Sequence, residues 1–220
     1  MRSPYPSPDE YRIIYARYYH GRSVEELCGH LGNVSGLHCL DLCAGEGLAT
    51  GYFLQKGASI VWSVDESAHM IREVIGSYRK AYVKCATVEN ALINALQDEE
   101  QFDRVVCRQG VNYWLNEVAV SLLAKCMRPG AIFVFNTLNT KPSVEPRSRT
   151  YVQDNRTYAE IAYSVGDVIH TVVACEGLEP HQSEILWLSR ESLHSLLTTH
   201  FSVIEHIDGN SSVYVCTKLE

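Results

Sequence analysis

A short segment at residues 40–47 carries the residues of this chain that are best placed to do chemistry. It follows an apolar run and precedes a helical pattern. Gly45 and Gly47 let the backbone turn sharply and approach a ligand without a Cβ clash. The carboxylates Asp41 and Glu46 accompany these glycines. An ordinary strand-to-helix turn is the alternative interpretation, because any such turn can use glycine.

The charge of this segment indicates the class of ligand it would bind. A dinucleotide carries an anionic pyrophosphate, which prefers bare amides at a helix N-terminus and which Asp41 and Glu46 would repel. No Gly-Lys-Ser/Thr sequence follows, and this excludes a Walker-type phosphate loop. S-adenosylmethionine (SAM) carries a cationic ammonium, a cationic sulfonium and no phosphate. Charge complementarity therefore favours SAM over NAD.

Asp65 is a second acidic candidate, eighteen residues after Gly47 and at the end of the second predicted strand. A carboxylate in this place can accept hydrogen bonds from both ribose hydroxyls of an adenosine-containing cofactor. The alternative is that Asp65 is the N-cap of the helix predicted over Ser67–Arg79.

An alternation of short β-branched runs with helical patterns has to position these residues, and it begins at about residue 36. This order predicts a parallel sheet covered by helices on both faces. Lys56-Gly57 and Arg128-Pro129-Gly130 are typical helix ends before a strand. The predicted strands are Leu37–Cys43, Ser59–Val64, Ala81–Cys85, Phe102–Cys107 and Ala131–Asn136, and the predicted helices are Gly47–Gln55, Ser67–Arg79, Glu89–Glu99 and Asn112–Met127.

Segments on either side of this core depart from the alternation. The N-terminal patterns predict two helices, over Pro8–His20 and Ser23–Leu31. Three strands with no helix between them predict an added antiparallel sheet, and these are Tyr158–Ser164, Val168–Cys175 and Glu184–Leu188, with turns at Gly166-Asp167 and Gly177–His181. The chain then continues with a helix that has Ser189 as its N-cap and Glu191 in its first turn.

The C-terminal pattern predicts a β-hairpin, with strands over Phe201–Ile207 and Ser212–Thr217 around Asp208-Gly209-Asn210. We therefore expect an α/β fold with a seven-stranded, mostly parallel sheet, an antiparallel last strand and helices on both faces. A small antiparallel β insertion after the fifth strand and N-terminal lid helices complete it. The expected single SAM-binding domain has its lid over 1–35, its core over 36–137, a β cap over 145–188 and the last helix and hairpin over 189–220.

Six segments, in the right order, resemble the motifs of class I SAM-dependent methyltransferases. Asp41-x-Cys43-x-Gly45-x-Gly47 resembles motif I, D/E-x-G-x-G-x-G, with Cys43 in place of the first glycine. The others are Val64–Ser67 with Met70 (V-D-x-S-x-x-M), Ala86–Asn90 (G-D-A-E-x, with Thr87 in place of Asp), Phe102–Val106 (F-D-x-V), the post-strand segment Arg108–Trp114, and Met127–Ala131 (L-K-P-G-G). The resemblance covers about 36–137 and resumes at 189–217.

This resemblance implies a small-molecule methyltransferase that binds SAM and releases S-adenosylhomocysteine. The hydroxyl of Thr87, rather than a carboxylate, would then meet the adenine amine. The residues implied in SAM binding are Tyr11, Asp41, Cys43, Gly45, Gly47, Asp65, Glu66, Met70, Thr87, Val88, Glu89, Arg108, Gln109 and Asn112.

Segments outside the motifs would shape the pocket for the methyl acceptor. Tyr11, Tyr15 and either Tyr18 or Tyr19 share one face of the first predicted helix, where a ring near the sulfonium would gain cation–π attraction. Packing onto the core is an equal alternative. In the added sheet, His170, His181 or Glu184 could border the acceptor, and a histidine could take its proton; a solvent-facing histidine is the alternative. The acceptor-side candidates are Tyr15, Tyr113, Asn136, Asn139 and His170.

The composition of the chain disfavours several classes of binding partner. The 220 residues carry a net charge of −7 without a basic cluster, which disfavours nucleic acids and anionic membrane surfaces. The first eleven residues lack the apolar region of a signal peptide, and no stretch is apolar enough to span a bilayer. The eight cysteines include no C-x-x-C pair, so we expect reduced thiols and no metal. We expect a cytoplasmic monomer or homodimer.

Methyl transfer to a small molecule with an amine, hydroxyl or carboxylate is the favoured function. An enzyme that consumes SAM without methylation and releases methylthioadenosine would use the same fold and pocket. An NAD-dependent oxidoreductase and a non-catalytic SAM-fold binding module are weaker alternatives. In-line displacement at the sulfonium needs alignment and exclusion of water above all, so a dedicated base is not required.

Overall fold

The computed structural model describes residues 6–15, 24–208 and 211–220. The strands within these ranges form two sheets and are β1 (His38–Leu42), β2 (Ile60–Asp65), β3 (Tyr82–Cys85), β4 (Phe102–Cys107), β5 (Met127–Leu138), β6 (Arg147–Gln153), β7 (Arg156–Val165), β8 (Val168–Cys175), β9 (His181–Leu186), β10 (Phe201–Asp208) and β11 (Ser211–Lys218). The larger sheet has seven strands in the order β10-β11-β5-β4-β1-β2-β3. Strands β1 to β5 pair in parallel, whereas β11 pairs antiparallel with β5 and β10. The predicted fold class is confirmed.

Helices of the described ranges are α1 (Pro8–Ile14), α2 (Val24–Gly29), α3 (Leu48–Gln55), α4 (Ala68–Ser77), α5 (Val88–Gln97), α6 (Glu117–Lys125) and α7 (Arg190–Leu197), with a 3₁₀ turn at Val111–Tyr113. Polar side chains cap the N-terminus of five of them, and Ser7 forms a capping box with Glu10 at the start of α1. Ser67, Thr87, Asn116 and Ser189 each accept a hydrogen bond from the backbone N–H three residues later. The predicted Ser189 cap is confirmed, with Glu191 in the first turn.

Apolar side chains cover both faces of the larger sheet. On one face, Leu92 of α5 and Leu123 of α6 pack in a cluster that contains Phe133 of β5. On the other, Leu27 of α2 and Phe53 of α3 pack against buried valines of the strands. Burial on both faces is typical of parallel strands between helices, and it leaves the sheet edges and the loops for ligands.

The smaller sheet, which we call the cap sheet, consists of β6 to β9 in sequence order, all antiparallel. Three of its strands were predicted, and β6 was missed. The β6 sequence is mostly polar and exposed, so it lacks the alternation that signals a strand. The residue types of the turn before β7 were a usable sequence signal. Asp154 and Asn155 both have positive φ, 50° and 60°, as a two-residue type I′ hairpin requires, and Asp and Asn tolerate this conformation better than most residues.

Two expectations about the chain after β4 were wrong. The helix predicted over Asn112–Met127 is broken, because the 3₁₀ turn ends at Tyr113 and Asn116 caps a new helix. Arg128-Pro129-Gly130 lies within β5 and not at a helix end, since α6 already stops at Lys125. A register shift between β4 and β5 accompanies this early start of β5.

Helix α1 lies against the cap sheet. Its Ile14 is buried in a cluster with Tyr158, Val173 and Cys175 of β7 and β8, and the Tyr158 hydroxyl donates a hydrogen bond to the Ile13 carbonyl at 2.9 Å. The remainder of the predicted first helix, with Tyr18 and Tyr19, lies outside the described residues, as do Ser23 and the hairpin residues Gly209 and Asn210.

Replacing Tyr158 by Phe should loosen α1 without disturbing the core. Loss of the hydrogen bond to Ile13 should lower the local opening free energy of α1 by about 1 kcal/mol. Hydrogen exchange followed by mass spectrometry should show faster exchange over residues 8–14. The control is Tyr163→Phe on the opposite face of β7, which should leave that exchange unchanged. Equal exchange in Tyr158→Phe and wild type would contradict this attachment of α1.

Candidate active site

A cavity of about 360 Å³ lies beyond the carboxyl ends of β1, β2 and β4, between the sheet, α1 and the end of β9. Its size is that of a small-molecule pocket. All of the predicted cofactor-binding residues except Gly47 line it, and so does Tyr113: the set is Tyr11, Asp41, Cys43, Gly45, Asp65, Glu66, Met70, Thr87, Val88, Glu89, Arg108, Gln109, Asn112 and Tyr113.

Asp41 is the next-to-last residue of β1 and is almost completely buried, with 1% of its surface exposed. Its Oδ2 accepts hydrogen bonds from the backbone N–H and the hydroxyl of Thr50, at 2.8 and 2.7 Å, and the Thr50 hydroxyl also contacts Ser63. Burial raises the pKa of Asp41 to about 7, against the lowering effect of the Thr50 hydrogen bonds. A cationic ligand in the cavity would favour the ionised form.

Asp65, at the end of β2, fastens two loops together. Its Oδ2 accepts a hydrogen bond from the Gly45 N–H and its Oδ1 one from the Ser67 N–H, both at 2.8 Å. Ser67 is the N-cap of α4, so the alternative of Asp65 as that cap is wrong. Burial raises the pKa of Asp65 from its usual value. Carboxylate lone pairs outnumber these two bonds, and Asp65 can accept further hydrogen bonds from a ligand.

Three residues of the glycine segment have positive φ, namely Cys43, Gly45 and Gly47, and the causes differ at Gly47 and Cys43. Gly47 has a φ of 80°, and a Cβ there would lie 2.9 Å from the Tyr78 ring, so Gly47 serves the turn and the packing of α3 rather than the cavity wall. Cys43 has a φ of 54° although it is not a glycine. Its position is that of the first motif glycine, which explains the conformation but leaves it strained.

Gly110 makes room for the Cys43 side chain. A Cβ on Gly110 would lie 2.4 Å from the Cys43 Cβ and 3.1 Å from the Cys107 Sγ. A hydrogen bond with Cys107, together with burial, raises the pKa of Cys43 well above its usual range. Cys43 is therefore a neutral thiol that packs against the loop after β4, and it is not a nucleophile.

Polar side chains on the opposite wall of the cavity make hydrogen bonds within the protein. The Thr87 hydroxyl accepts a hydrogen bond from the Asn90 N–H at 3.3 Å as the cap of α5, and its own hydrogen is left for a ligand. Asn112 joins the core to the cap sheet, since its Nδ2 donates to the Leu186 carbonyl at 2.7 Å and its Oδ1 accepts from the Thr137 hydroxyl at 2.8 Å.

The five acceptor-side candidates do not come together. Tyr113 lines the cavity, and Tyr15 packs on Tyr11 with ring centroids 4.6 Å apart. Asn136 is buried and accepts a hydrogen bond from the Gln109 N–H at 2.9 Å, so it holds a cavity residue in place. The other two lie elsewhere: Asn139 lines a separate cavity beside β10, and His170 pairs with Glu184 and stacks on Tyr163.

Sequence reasoning missed a contact between α1 and the glycine segment. Arg12 Nε lies 2.6 Å from Glu46 Oε1, and Arg12 also reaches Glu73 of α4 at 3.4 Å. This bridge places α1 across the mouth of the cavity. No local pattern could have indicated this ion pair, because its two residues lie far apart in the chain. The prediction that the N-terminal helices form a lid is consistent with it.

The electrostatics of the cavity are strongly asymmetric. Arg108 is the one basic residue among the described residues that line it. Five carboxylates share the wall with it, and they are Asp41, Glu46, Asp65, Glu66 and Glu89. Such a wall attracts a cationic ligand and repels a pyrophosphate.

The comparisons with known sequences find similarity to methyltransferases in the core of the chain. The family model described as a methyltransferase domain matches residues 39–130. A curated relative, the ubiquinone biosynthesis O-methyltransferase of Bradyrhizobium sp. (strain ORS 278), is 30% identical over 135 residues, which cover 58% of this chain and 50% of that protein. The chain thus spans about half the length of the curated relative that it matches.

The comparisons with solved structures identify the fold. A SAM-dependent methyltransferase from Clostridium acetobutylicum ATCC 824 matches with a TM-score of 0.80 at 17% identity, over 96% of this chain and 99% of that one. An amino pentose methyltransferase from Micromonospora echinaspora, solved with SAM bound, matches with a TM-score of 0.69 at 14% identity, over 99% of both chains. The predicted resemblance to class I SAM-dependent methyltransferases is confirmed.

Membrane and metal features can be stated for the described ranges. No helix within 6–15, 24–208 and 211–220 is long and apolar enough to cross a membrane. The same ranges contain no group of three or more His, Cys, Asp or Glu side chains arranged around a possible metal ion.

Replacing Gly110 by Ala should destabilise the protein, because the new Cβ overlaps the Cys43 side chain. We expect the free energy of unfolding to fall by about 1–3 kcal/mol in denaturant titrations. The matched control is Gly76→Ala in α4, where a Cβ meets nothing within 4 Å; it should raise stability by about 0.5–1 kcal/mol.

The double variant Cys43→Gly/Gly110→Ala tests the cause. Removing the Cys43 side chain frees the space and suits the left-handed backbone, so most of the loss should be recovered. Additive destabilisation in the double variant would contradict this packing.

Proposed function

We propose that this protein binds SAM in the cavity and transfers its methyl group to a small-molecule acceptor. The observation that carries the proposal is the position of five carboxylates around a glycine turn at the carboxyl edge of a parallel sheet. This wall suits a cationic nucleoside and not a dinucleotide. The methyltransferase-domain match over 39–130 and the relatives that act on small molecules support the same activity.

The residues present fit SAM along the whole cavity. Asp65 would accept hydrogen bonds from the ribose hydroxyls, and Thr87 with Val88 would border the adenine. At the other end, Asp41 would favour the ammonium, and Arg108 would pair with the carboxylate of the methionine part. SAM supplies an electrophilic methyl group on its sulfonium. The protein aligns acceptor and sulfonium, and α1 with its Arg12–Glu46 bridge keeps water from them.

The acceptor is an amine, hydroxyl or carboxylate in this proposal. Named relatives include an O-methyltransferase of ubiquinone biosynthesis and an amino pentose methyltransferase. A cytoplasmic location, a monomer or homodimer, and Cys43, Glu66, Met70, Glu89 and Gln109 as further SAM-binding residues also remain proposals.

Release of methylthioadenosine without methyl transfer is the second candidate, because the tyrosine rings at the cavity mouth suit both reactions. Mass spectrometry of the nucleoside product separates them. S-adenosylhomocysteine formed only in the presence of an acceptor supports methyl transfer. Methylthioadenosine formed without an acceptor would overturn it.

Replacing Asp65 by Ala should weaken SAM binding by about 1–3 kcal/mol, since the ribose hydroxyls and the Gly45 N–H lose their acceptor. Isothermal titration calorimetry measures the change. The control is Asp167→Ala in the cap sheet, an exposed carboxylate paired with Lys141, which should bind SAM like wild type. Unchanged affinity in Asp65→Ala would leave Asp65 with a purely structural role.

SAM binding should release a proton near neutral pH. The folded pKa of Asp41 is about 7, above the value of about 3.9 in an unfolded chain, so folded protein without ligand binds the extra proton between these values. A cation stabilises ionised Asp41, and affinity should therefore rise from about pH 5.5 to about pH 7.5.

Calorimetry in two buffers of different ionisation enthalpy measures this proton release. Asp41→Asn cannot ionise and should bind SAM with little dependence on pH. Equal pH dependence in wild type and Asp41→Asn would contradict the assignment to Asp41.

A further inference from the structure

A tyrosine and a histidine from distant parts of the chain meet beside the cavity. The Tyr15 hydroxyl, at the end of α1, lies 2.5 Å from Nδ1 of His181, the first residue of β9. The two rings meet edge to face, with centroids 5.4 Å apart. A phenol that donates to Nδ1 leaves the imidazole neutral and ready to take that proton.

Tyr11 and Tyr113 lie between this pair and the cavity, and we call Tyr11, Tyr15 and Tyr113 together the tyrosine wall. Tyr11 and Tyr113 line the cavity, and the Tyr11 ring packs on Tyr15. Burial first, and then the neighbouring Tyr15, raise the pKa of Tyr113. The wall is aromatic and hydroxyl-bearing, so it can pack against a flat acceptor and hydrogen-bond to its polar group.

The register of the cap sheet shows which groups share a face with His181. On the same face of the cap sheet, Val173 lies opposite His181, and Glu160 lies opposite Val173. The Glu160 side chain is 5% exposed and pairs with Arg149 at 2.5 Å. Ser183, two residues along β9, hydrogen-bonds to Tyr15. Glu160 with its partner Arg149, and Ser183, are thus the charged and polar groups in the row that contains His181.

His170 is on the other face of the same sheet. It lies three residues before Val173 on β8, so its side chain points away from α1 and the tyrosine wall. The two histidines therefore form a natural comparison within one sheet.

We propose that Tyr15 and His181 relay the proton of the methyl acceptor, and that the acceptor is a hydroxyl compound or an amine that arrives protonated. This inference rests on the proposed methyl transfer. As the acceptor oxygen or nitrogen forms its bond to the methyl carbon, the carbon–sulfur bond of the sulfonium breaks and its electron pair stays on sulfur. An ammonium group gives its proton to the Tyr15 oxygen before its nitrogen attacks, because only the freed lone pair can form the new bond, whereas a hydroxyl group can lose its proton as the bond forms. In both cases the Tyr15 proton passes to His181 Nδ1.

The chemistry of the relay selects the acceptor class. A hydroxyl or an ammonium group must lose a proton, whereas a carboxylate has none to lose at neutral pH. Burial raises the pKa of Tyr15, so Tyr15 stays protonated and passes a proton on rather than storing a negative charge. Tyr15 would touch the acceptor, and His181 acts through it.

The test compares His181→Asn with wild type in SAM turnover. An asparagine Oδ1 can replace Nδ1 as acceptor for the Tyr15 hydroxyl, but it cannot take the proton. The probes are catechol for hydroxyl acceptors, glucosamine for amines and benzoate for carboxylates, with S-adenosylhomocysteine release measured from about pH 5.5 to about pH 9. His170→Asn is the matched control, and calorimetry with SAM is run on every variant.

With catechol or glucosamine at saturating SAM, His181→Asn should lower kcat by about 100-fold or more, keep KM for the acceptor, and lose the fall in kcat at low pH. Tyr15→Phe should lower kcat similarly, and His170→Asn should match wild type. A purely structural role for His181 predicts that His181→Asn keeps the rate and pH profile, and this result would overturn the relay. Turnover of benzoate alone, or of no probe while SAM binds, would overturn it too. Absence of SAM binding would refute the proposed function itself, and the relay would fall with it.

Discussion

The hydrogen bonds that Asp65 accepts from Gly45 and Ser67 are the constraint on which the site depends. The turns after β1 and β2 both leave backbone N–H groups at the carboxyl edge of the sheet, and the half-buried carboxylate of Asp65 accepts a hydrogen bond from one group of each turn. This fixes the glycine turn against the start of α4. This arrangement shapes the cavity, because Ala44, Glu46 and Glu66, which adjoin Gly45 and Ser67, line it.

Much of this could be predicted from local patterns. The order of strands and helices places Asp41, Asp65 and Thr87 at one edge of a parallel sheet, whatever the details of packing. Local residue types also predicted the Ser189 cap and the last hairpin. The break before α6 was missed because the apolar spacing continues through Tyr113–Asn116, while the cap formed by Asn116 stops and restarts the helix.

Long-range contacts could not be predicted in this way. The Arg12–Glu46 bridge joins the first helix to the glycine turn, and nothing in the spacing of either segment indicates it. The choice between His170 and His181 depends on which face of the cap sheet meets α1. A shift of one residue in register reverses that face, and periodicity within a strand does not say which face is covered. Strand β6 was missed because its mostly exposed residues show no alternation of apolar and polar side chains, so pairing with β7 is what defines it as a strand.

The division of labour between the two sheets explains the architecture. The larger sheet supplies the carboxylates and the glycine turn of the cavity wall, while the cap sheet anchors α1 and contributes Leu186 of β9 to that wall. Calorimetric titration of the wild-type protein with SAM is the most direct test of cofactor binding in this cavity. We expect one saturable site per chain, competed by S-adenosylhomocysteine. No binding of either nucleoside at concentrations up to about 1 mM would contradict it.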